Sequence, residues 1–330
     1  MNLYTTVDIP KHSLPALSQA DPILLLGSCF ATEMGQRLRQ AKFACDVNPY
    51  GVLYNPLSIS AALREVMAGR KYMPDDLFLH SECWHSPMHH GDFSSPCREE
   101  ALQHINRRIM QAHELVQRLD VLILTFGTSY VYRKKSDGQV VGNCHKLPES
   151  CFDRRRLSVD EIVADYMQLL PLLLQQRPQL KVILTVSPIR HIRDGLHANQ
   201  LSKATLLLAV QALQDAFPHN VFYFPAYELL LDELRDYRFY ADDLVHPSAI
   251  AVDYVWQHFA TACFTPETRQ AVEACEEIGK ALSHKPFHPE SEAYKRFLGQ
   301  IVLKIDRLNA KFPYLDFQNE RELCRTLLNR

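Results

Sequence analysis

Four short apolar runs, at 23–26, 121–126, 182–186 and 221–224, each end in a small or polar residue and give way to helical periodicity. Short length and richness in Leu, Ile, Val and Phe mark each run as a buried strand. Apolar residues recur at three- and four-residue spacing over 31–41, 158–175, 201–216 and 248–262, which predicts helices there. Ser158 and Glu161 form a capping box for the second, Pro247 starts the fourth, and Pro171 is expected to kink or break the second. Strands alternating with helices in this order predict an α/β protein, a parallel sheet covered by helices on both faces.

In such a sheet ligands bind beyond the carboxyl ends of the strands. The polar residues that follow the runs, Ser28, Thr128, Ser129 and Ser187, should therefore share one edge. Residues 72–98 and 132–153 are rich in Pro, His, Ser, Asp and Gly, read as long loops, and are expected to roof that edge. After about residue 265 the strand signal stops, and helices are expected over 266–281 and 291–310, separated by the hinge Lys285-Pro-Phe-His-Pro289. This predicts a sheet domain over 1–264 and a helical C-terminal extension over 265–330, which either packs on the sheet or mediates self-association.

Charge changes this picture little. The 330 residues carry 36 Lys and Arg against 38 Asp and Glu, a formal net charge of -2, without the basic field that draws a protein to nucleic acid. The apolar run at 23–26, preceded by Asp21 and Pro22, is shorter than the roughly 7 to 15 residues of a signal h-region, although Leu-Gly-Ser-Cys at 26–29 resembles a lipoprotein cleavage site. No apolar stretch approaches the ~20 residues that span a bilayer, so no membrane partner is expected. The nine cysteines show neither paired spacing nor regularity, which fits a reduced, cytoplasmic protein. Oligomeric state has no signature in the sequence.

Two remote segments carry the candidate chemistry. Ser28 sits at a strand-to-helix turn, where Gly27 permits tight geometry and the following helix offers backbone N–H groups to an anion. Asp243 and His246 stand three residues apart, so one turn of chain can let the carboxylate hold the imidazole and leave Nε2 free for a serine. Together they make a Ser-His-Asp triad, with Ser28 as nucleophile, His246 as base and Asp243 as its orienter. Cys29 competes with Ser28, and Asp242 with Asp243; neighbours leaving a strand point in opposite directions, so Cys29 is read as packing.

Two other clusters have weaker claims. Trp84-His-Ser-Pro-Met-His-His-Gly-Asp92 holds His85, His89, His90 and Asp92, but Pro87 argues against a helical ligand face and no finger-like pair follows. No metal and no cofactor is expected, and the segment, His89 included, reads as a substrate-lining loop. In Ser187-Pro-Ile-Arg-His191, either Arg190 or His191 touches an anionic group of a substrate, or Arg190 pairs with Asp194.

The string Gly27-Ser28-Cys29-Phe30-Ala31 resembles the motif that names the GSCFA domain family, a branch similar to the SGNH (GDSL-like) hydrolases. The resemblance extends through Asn48-Pro-Tyr-Gly51-Val-Leu-Tyr-Asn-Pro56, Gly127-Thr-Ser-Tyr-Val-Tyr-Arg133, Asn143-Cys-His-Lys146 and Asp243-Leu-Val-His246-Pro247, and covers about residues 20–260. It implies a flavodoxin-like three-layer α/β/α sandwich and a serine nucleophile whose Asp and His share one late loop. It further implies an oxyanion hole built from the N–H groups of Ser28 and Gly51 and an asparagine side chain. Ser129 stands in that asparagine's place, so the third donor is either Ser129 or Asn143. Thr128 and His145 lie in the same blocks and join Arg190 and His89 as candidate substrate contacts. The implied activity is serine esterase chemistry on O-acyl, typically O-acetyl, esters of carbohydrate-like or other small substrates. The alternatives are an acyltransferase of the same chemistry or a protein that binds a glycan or acyl ligand without turnover.

Overall fold

The computed structural model describes residues 5–284 and 286–328; Lys285 of the expected hinge lies outside them. Five strands pair in parallel: β1 (Ile23–Gly27), β2 (Cys45–Val47), β5 (Val121–Phe126), β9 (Lys181–Val186) and β10 (Val221–Tyr223). Their order across the sheet is β10-β9-β5-β1-β2. The chain reverses its winding direction between β1 and β5, which makes the gap between their carboxyl ends the topological switch point.

Burial on both faces explains the unbroken apolar runs. Leu24 and Leu26 of β1 pack with Leu122, Leu124 and Leu184 against α2 (Pro56–Met67), α3 (Arg98–Val116), α4 (Val159–Gln176) and α5 (Leu196–Ala216). Ile23 and Leu25 face the other way, with Ile123 and Ile183, onto α1 (Cys29–Gln40) and α7 (Ala249–Cys263). The expected three-layer sandwich is therefore present. Ser158 and Glu161 close the capping box of α4, but Pro171 does not break that helix. Pro171 is exposed, so the hydrogen bond that it cannot donate is lost on the solvent side.

Several elements escape the apolar pattern. Strand β2 is three residues long, and α2 begins where Asn55 caps and Pro56 takes the first turn. Part of the expected loop 132–153 is a small antiparallel sheet of β6 (Tyr130–Lys134), β7 (Val140–Val141) and β8 (Phe152–Arg156). Its alternation is hidden because charged residues stand on both of its faces; the Arg154 guanidinium lies over the rings of Tyr130 and Tyr132, at 4.3 and 5.3 Å. Likewise β3 (Phe78–His80) and β4 (Cys83–His85) form a hairpin within 72–98. The strand β10 leads into a short helical segment, α6 (Ala226–Glu228).

The helices α8 (Pro266–Ser283), α9 (Glu292–Lys311) and α10 (Gln318–Leu328) enclose a core of their own, built on Cys275, Ile278, Leu298, Ile301, Ile305 and Phe317. The bundle is tied to the end of α1 by Lys42, which pairs with Glu320 at 2.6 Å. Among the described residues, no helix is long and apolar enough to cross a membrane.

Two contacts hold the carboxyl edge of the sheet in shape. At the end of β1, Gly27 has φ +146°, and a β-carbon there would lie 2.2 Å from the Thr125 carbonyl oxygen of β5. Only glycine lets the two backbones approach so closely. On the next layer, the buried Lys203 of α5 donates from Nζ to the carbonyls of Gly127, at 2.7 Å, and Ser187, at 2.6 Å. Burial lowers its pKa to about 7, so around neutral pH much of it is a neutral amine whose two N–H groups match the two carbonyls.

Gly27→Ala is expected to cost about 2–4 kcal/mol in urea denaturation, as strained backbone and a clash combine; a loss under about 0.5 kcal/mol would contradict the close approach. Lys203→Met is expected to cost about 1–3 kcal/mol by orphaning two carbonyls. The folded pKa of Lys203 lies below the unfolded one, so the unfolded chain binds more protons between about pH 7 and 10.5. Wild-type stability should therefore rise relative to Lys203→Met across that window, and a flat difference would contradict the burial of the amine.

Candidate active site

The carboxyl end of β1 delivers Ser28 to the switch point. Its extended backbone makes it the N-cap of α1, and its Oγ accepts from the Phe30 N–H at 3.3 Å. Ser28 has no exposed surface. The neighbouring Cys29 is half-buried, with Sγ 3.7 Å from the Tyr54 hydroxyl. Ser28 is flanked by Gly127: the point where a methyl on Gly127 would sit is 3.4 Å from Ser28 Cβ, 3.2 Å from His191 Nε2 and 3.1 Å from the Tyr54 carbonyl oxygen.

Beside this point opens a cavity of about 660 Å³. Its wall includes Tyr54, Thr128, Asn143, His191 and His246, with Tyr130, Tyr132 and Phe152 from the small sheet. The segment 132–153 thus roofs the site, whereas 72–98 contributes His90 to the wall. Cationic Arg154, Arg190 and Arg193 border it too, with Asp194 and Glu149.

Asp243 and His246 form a self-contained unit. Asp243 Oδ1 accepts from the N–H groups of Val245 and His246, both at 2.9 Å, and Oδ2 meets His246 Nδ1 at 2.6 Å. Leu244 takes φ +56° to close this turn. The His246 N–H and ring, with the Val245 N–H, hold the Asp243 carboxyl down to about 2, so it is ionised at neutral pH. Asp243, not Asp242, is therefore the carboxylate on His246. The loop is tied to the site by the Arg190 N–H, which donates to the Val245 carbonyl at 3.2 Å. Both ring nitrogens are distinct in function: Nδ1 is spent on Asp243, and the His246 ring borders the cavity.

The other expected residues divide sharply. Thr128, Asn143 and Arg190 border the cavity. Asn143 Oδ1 accepts from the His145 N–H at 2.9 Å in a local turn. Arg190 does not pair with Asp194, which instead meets Arg154 at 2.5 Å; its guanidinium stacks 4.0 Å over the Tyr240 ring. Ser129 is fully buried and does not reach Ser28, because its N–H and hydroxyl are both spent on Ser202 Oγ, at 2.8 and 3.1 Å. Nor are the expected backbone donors free: the Ser28 N–H is committed to the Thr125 carbonyl at 3.2 Å, and the Gly51 N–H to the Asn48 carbonyl at 2.8 Å.

His89 and His145 are core residues rather than substrate contacts. His89 has no exposed surface, stacks on Tyr50 and bonds Ser86 Oγ through Nδ1, and burial drops its pKa to about 3. His145 Nε2 meets the Ser86 carbonyl at 2.8 Å. His85 has both nitrogens engaged, by Ser94 Oγ and the His80 carbonyl. Among the described residues, no group of three or more His, Cys, Asp or Glu converges as metal ligands would.

The polar face of α5 also supports the site. Asn199 accepts from the His191 N–H at 2.9 Å, Ser202 holds Thr128 and Ser129, and Lys203 holds Gly127 and Ser187. The available signal was three polar residues at core-facing positions in line with Leu206, Val210 and Leu213.

Compared with known proteins, the chain shows a distant likeness to a crystal structure of a carbohydrate esterase family 3 from Talaromyces cellulolyticus, at 11% identity and a TM-score of 0.35, covering 76% of this chain and 97% of that one. No curated protein matches it. Residues 275–330 match the C-terminal domain of GSCFA domain proteins. Residues 22–259 match the GSCFA family, and the chain belongs to that family.

Proposed function

We propose that this protein is a serine esterase acting on O-acyl esters of carbohydrate-like substrates, with its site in residues 1–264 and residues 265–330 as a helical extension. The observation that carries this reading is the preassembled Asp243–His246 pair bordering a cavity at the same sheet edge as Ser28. A carboxylate that fixes the imidazole and leaves its far nitrogen free is the orienting half of a triad. In the reaction, Ser28 Oγ bonds the ester carbonyl carbon while its proton passes to His246. The proton then goes to the departing sugar oxygen as the ester bond breaks. Water, or an acceptor hydroxyl in a transferase variant of the chemistry, attacks the acyl-serine with His246 again as base.

The cavity supports a sugar-sized substrate. Its volume falls in the range of small-ligand sites, and its wall sets the aromatic Tyr54, Tyr130 and Tyr132 beside the polar Thr128 and Asn143. Asn143 remains a candidate oxyanion donor through its amide nitrogen. Because Ser28 is buried, entry of the acyl group requires neighbouring side chains to move, and we assign that movement to Tyr54 and His191, whose rings meet edge to face with centroids 5.6 Å apart. That same burial favours one second reading, in which the cavity holds a glycan or acyl ligand without turnover.

An activity-based fluorophosphonate probe decides between them. Labelling is expected on Ser28 and not Cys29, absent in Ser28→Ala, and slowed by about 10³-fold or more in His246→Ala. Ligand-induced thermal stabilisation with no adduct in wild-type protein would instead support the binding reading. The Asp243 carboxyl should titrate near 2 by ¹³C NMR and move part of the way toward 3.8 in His246→Ala, because the ring donor is lost and the backbone donors stay. A midpoint at 3.8 in the wild type would contradict the pair.

A further inference from the structure

His191 stands beside Ser28 with a buried ring nitrogen that has no partner among the described residues. It follows β9 at the carboxyl edge, and its backbone is fixed by Asn199 Oδ1 at 2.9 Å and, one residue earlier, by the Val245 carbonyl. Its Nε2 is buried without a hydrogen-bond partner among the described residues. Leaving a buried polar atom orphaned is destabilising, and such an atom calls for an explanation such as a ligand that completes it. The imidazole also borders the cavity, so a bound ligand can reach it.

The direction of that nitrogen is informative. Nε2 and Ser28 Cβ lie 3.2 and 3.4 Å from one point beside the Gly127 α-carbon, so ring and serine flank one narrow gap. An ester carbonyl attacked by Ser28 Oγ carries its oxygen within a bond or two of that serine. Among backbone donors, the Ser28 and Gly51 N–H groups are committed elsewhere, and Ser129 is spent on Ser202. Asn143 apart, the donors that the motif implies are therefore engaged elsewhere, and an unused nitrogen stands beside the nucleophile.

We infer that His191 is a catalytic residue of this site, donating a hydrogen bond from Nε2–H to the carbonyl oxygen of the acyl group as negative charge develops on it. The inference rests on the serine-esterase reading above and deepens it. Burial, helped by nearby Lys203 and His246, lowers the pKa of His191 to about 3. The ring therefore acts as a neutral donor at working pH and does not compete with His246 for the serine proton. A neutral imidazole with its proton on Nε2 delivers one N–H at fixed direction, and His246, oriented by Asp243, remains the base. No proton is transferred from His191: its N–H···O hydrogen bond strengthens as the oxyanion forms and weakens again when the carbonyl re-forms.

The rate of Ser28 phosphonylation by a fluorophosphonate tests this directly, since the probe's phosphoryl oxygen must occupy the oxyanion position. His191→Phe keeps a ring against Tyr54 without a donor and is expected to slow labelling about 10²-fold or more. His191→Gln restores a donor of similar reach and should recover at least about a tenth of the wild-type rate. Gly127→Ala leaves both side chains but presses a methyl against His191 Nε2, Ser28 Cβ and the Tyr54 carbonyl oxygen, and should slow labelling as well. Wild-type labelling in His191→Phe, or a Gln variant no faster than Phe at matched Tm, would overturn the inference and leave the esterase reading intact. Failure of the wild-type protein to label at Ser28 would overturn both.

Discussion

The loops that border the candidate site are tied in place by one buried amine. Where strands β5 and β9 leave the sheet, the carbonyls of Gly127 and Ser187 lose their ladder partners, and a buried carbonyl must be satisfied. Lys203 satisfies both from a neighbouring helix, and on the N-terminal side of it along the same helix Ser202 and Asn199 accept from the N–H groups of Ser129 and His191. Three polar side chains on one helical stripe therefore set the spacing of the loops that border the cavity. Replacing that stripe with the apolar residues its position suggests would leave the sheet intact and its working edge without support.

The two halves of the proposed triad arise by different physics. Asp243 and His246 need only a local turn, closed by two backbone donors on Asp243 Oδ1 and one left-handed residue, Leu244. Ser28 is positioned by long-range pairing, because β1 must lie against β5 closely enough that Gly27 meets the Thr125 carbonyl. Parallel strands send every carboxyl end to the same edge. That geometry brings a residue from the first strand together with a loop contributed more than two hundred positions later.

What could be read from the sequence follows the same division. Buried strands such as β5 and β9 show as continuous apolar runs, and a capping box such as that of Ser158 and Glu161 is a local pattern. The Asp243–His246 spacing was legible for the same reason. The sheet of β6, β7 and β8 was not, because Arg154 and its neighbours mask the alternation with charge. Donor assignments failed at Ser129 and Gly51, because motif position says nothing about which hydrogen bonds a group has already made. The histidines at 89 and 145 look like ligands in a polar segment, but they serve as core hydrogen-bonding residues around Ser86. His191 shows the converse, a nitrogen whose lack of a partner becomes visible only in three dimensions.

The central claim is that Ser28 is the nucleophile of a site shared with His246. A crystal structure of fluorophosphonate-treated protein tests it most directly. The account predicts a phosphorus atom bonded to Ser28 Oγ, His246 Nε2 within hydrogen-bond distance of that oxygen, and the Tyr54–His191 contact opened to admit the probe. Phosphorus on Cys29, or an unmodified Ser28 still covered beneath an occupied cavity, would contradict it.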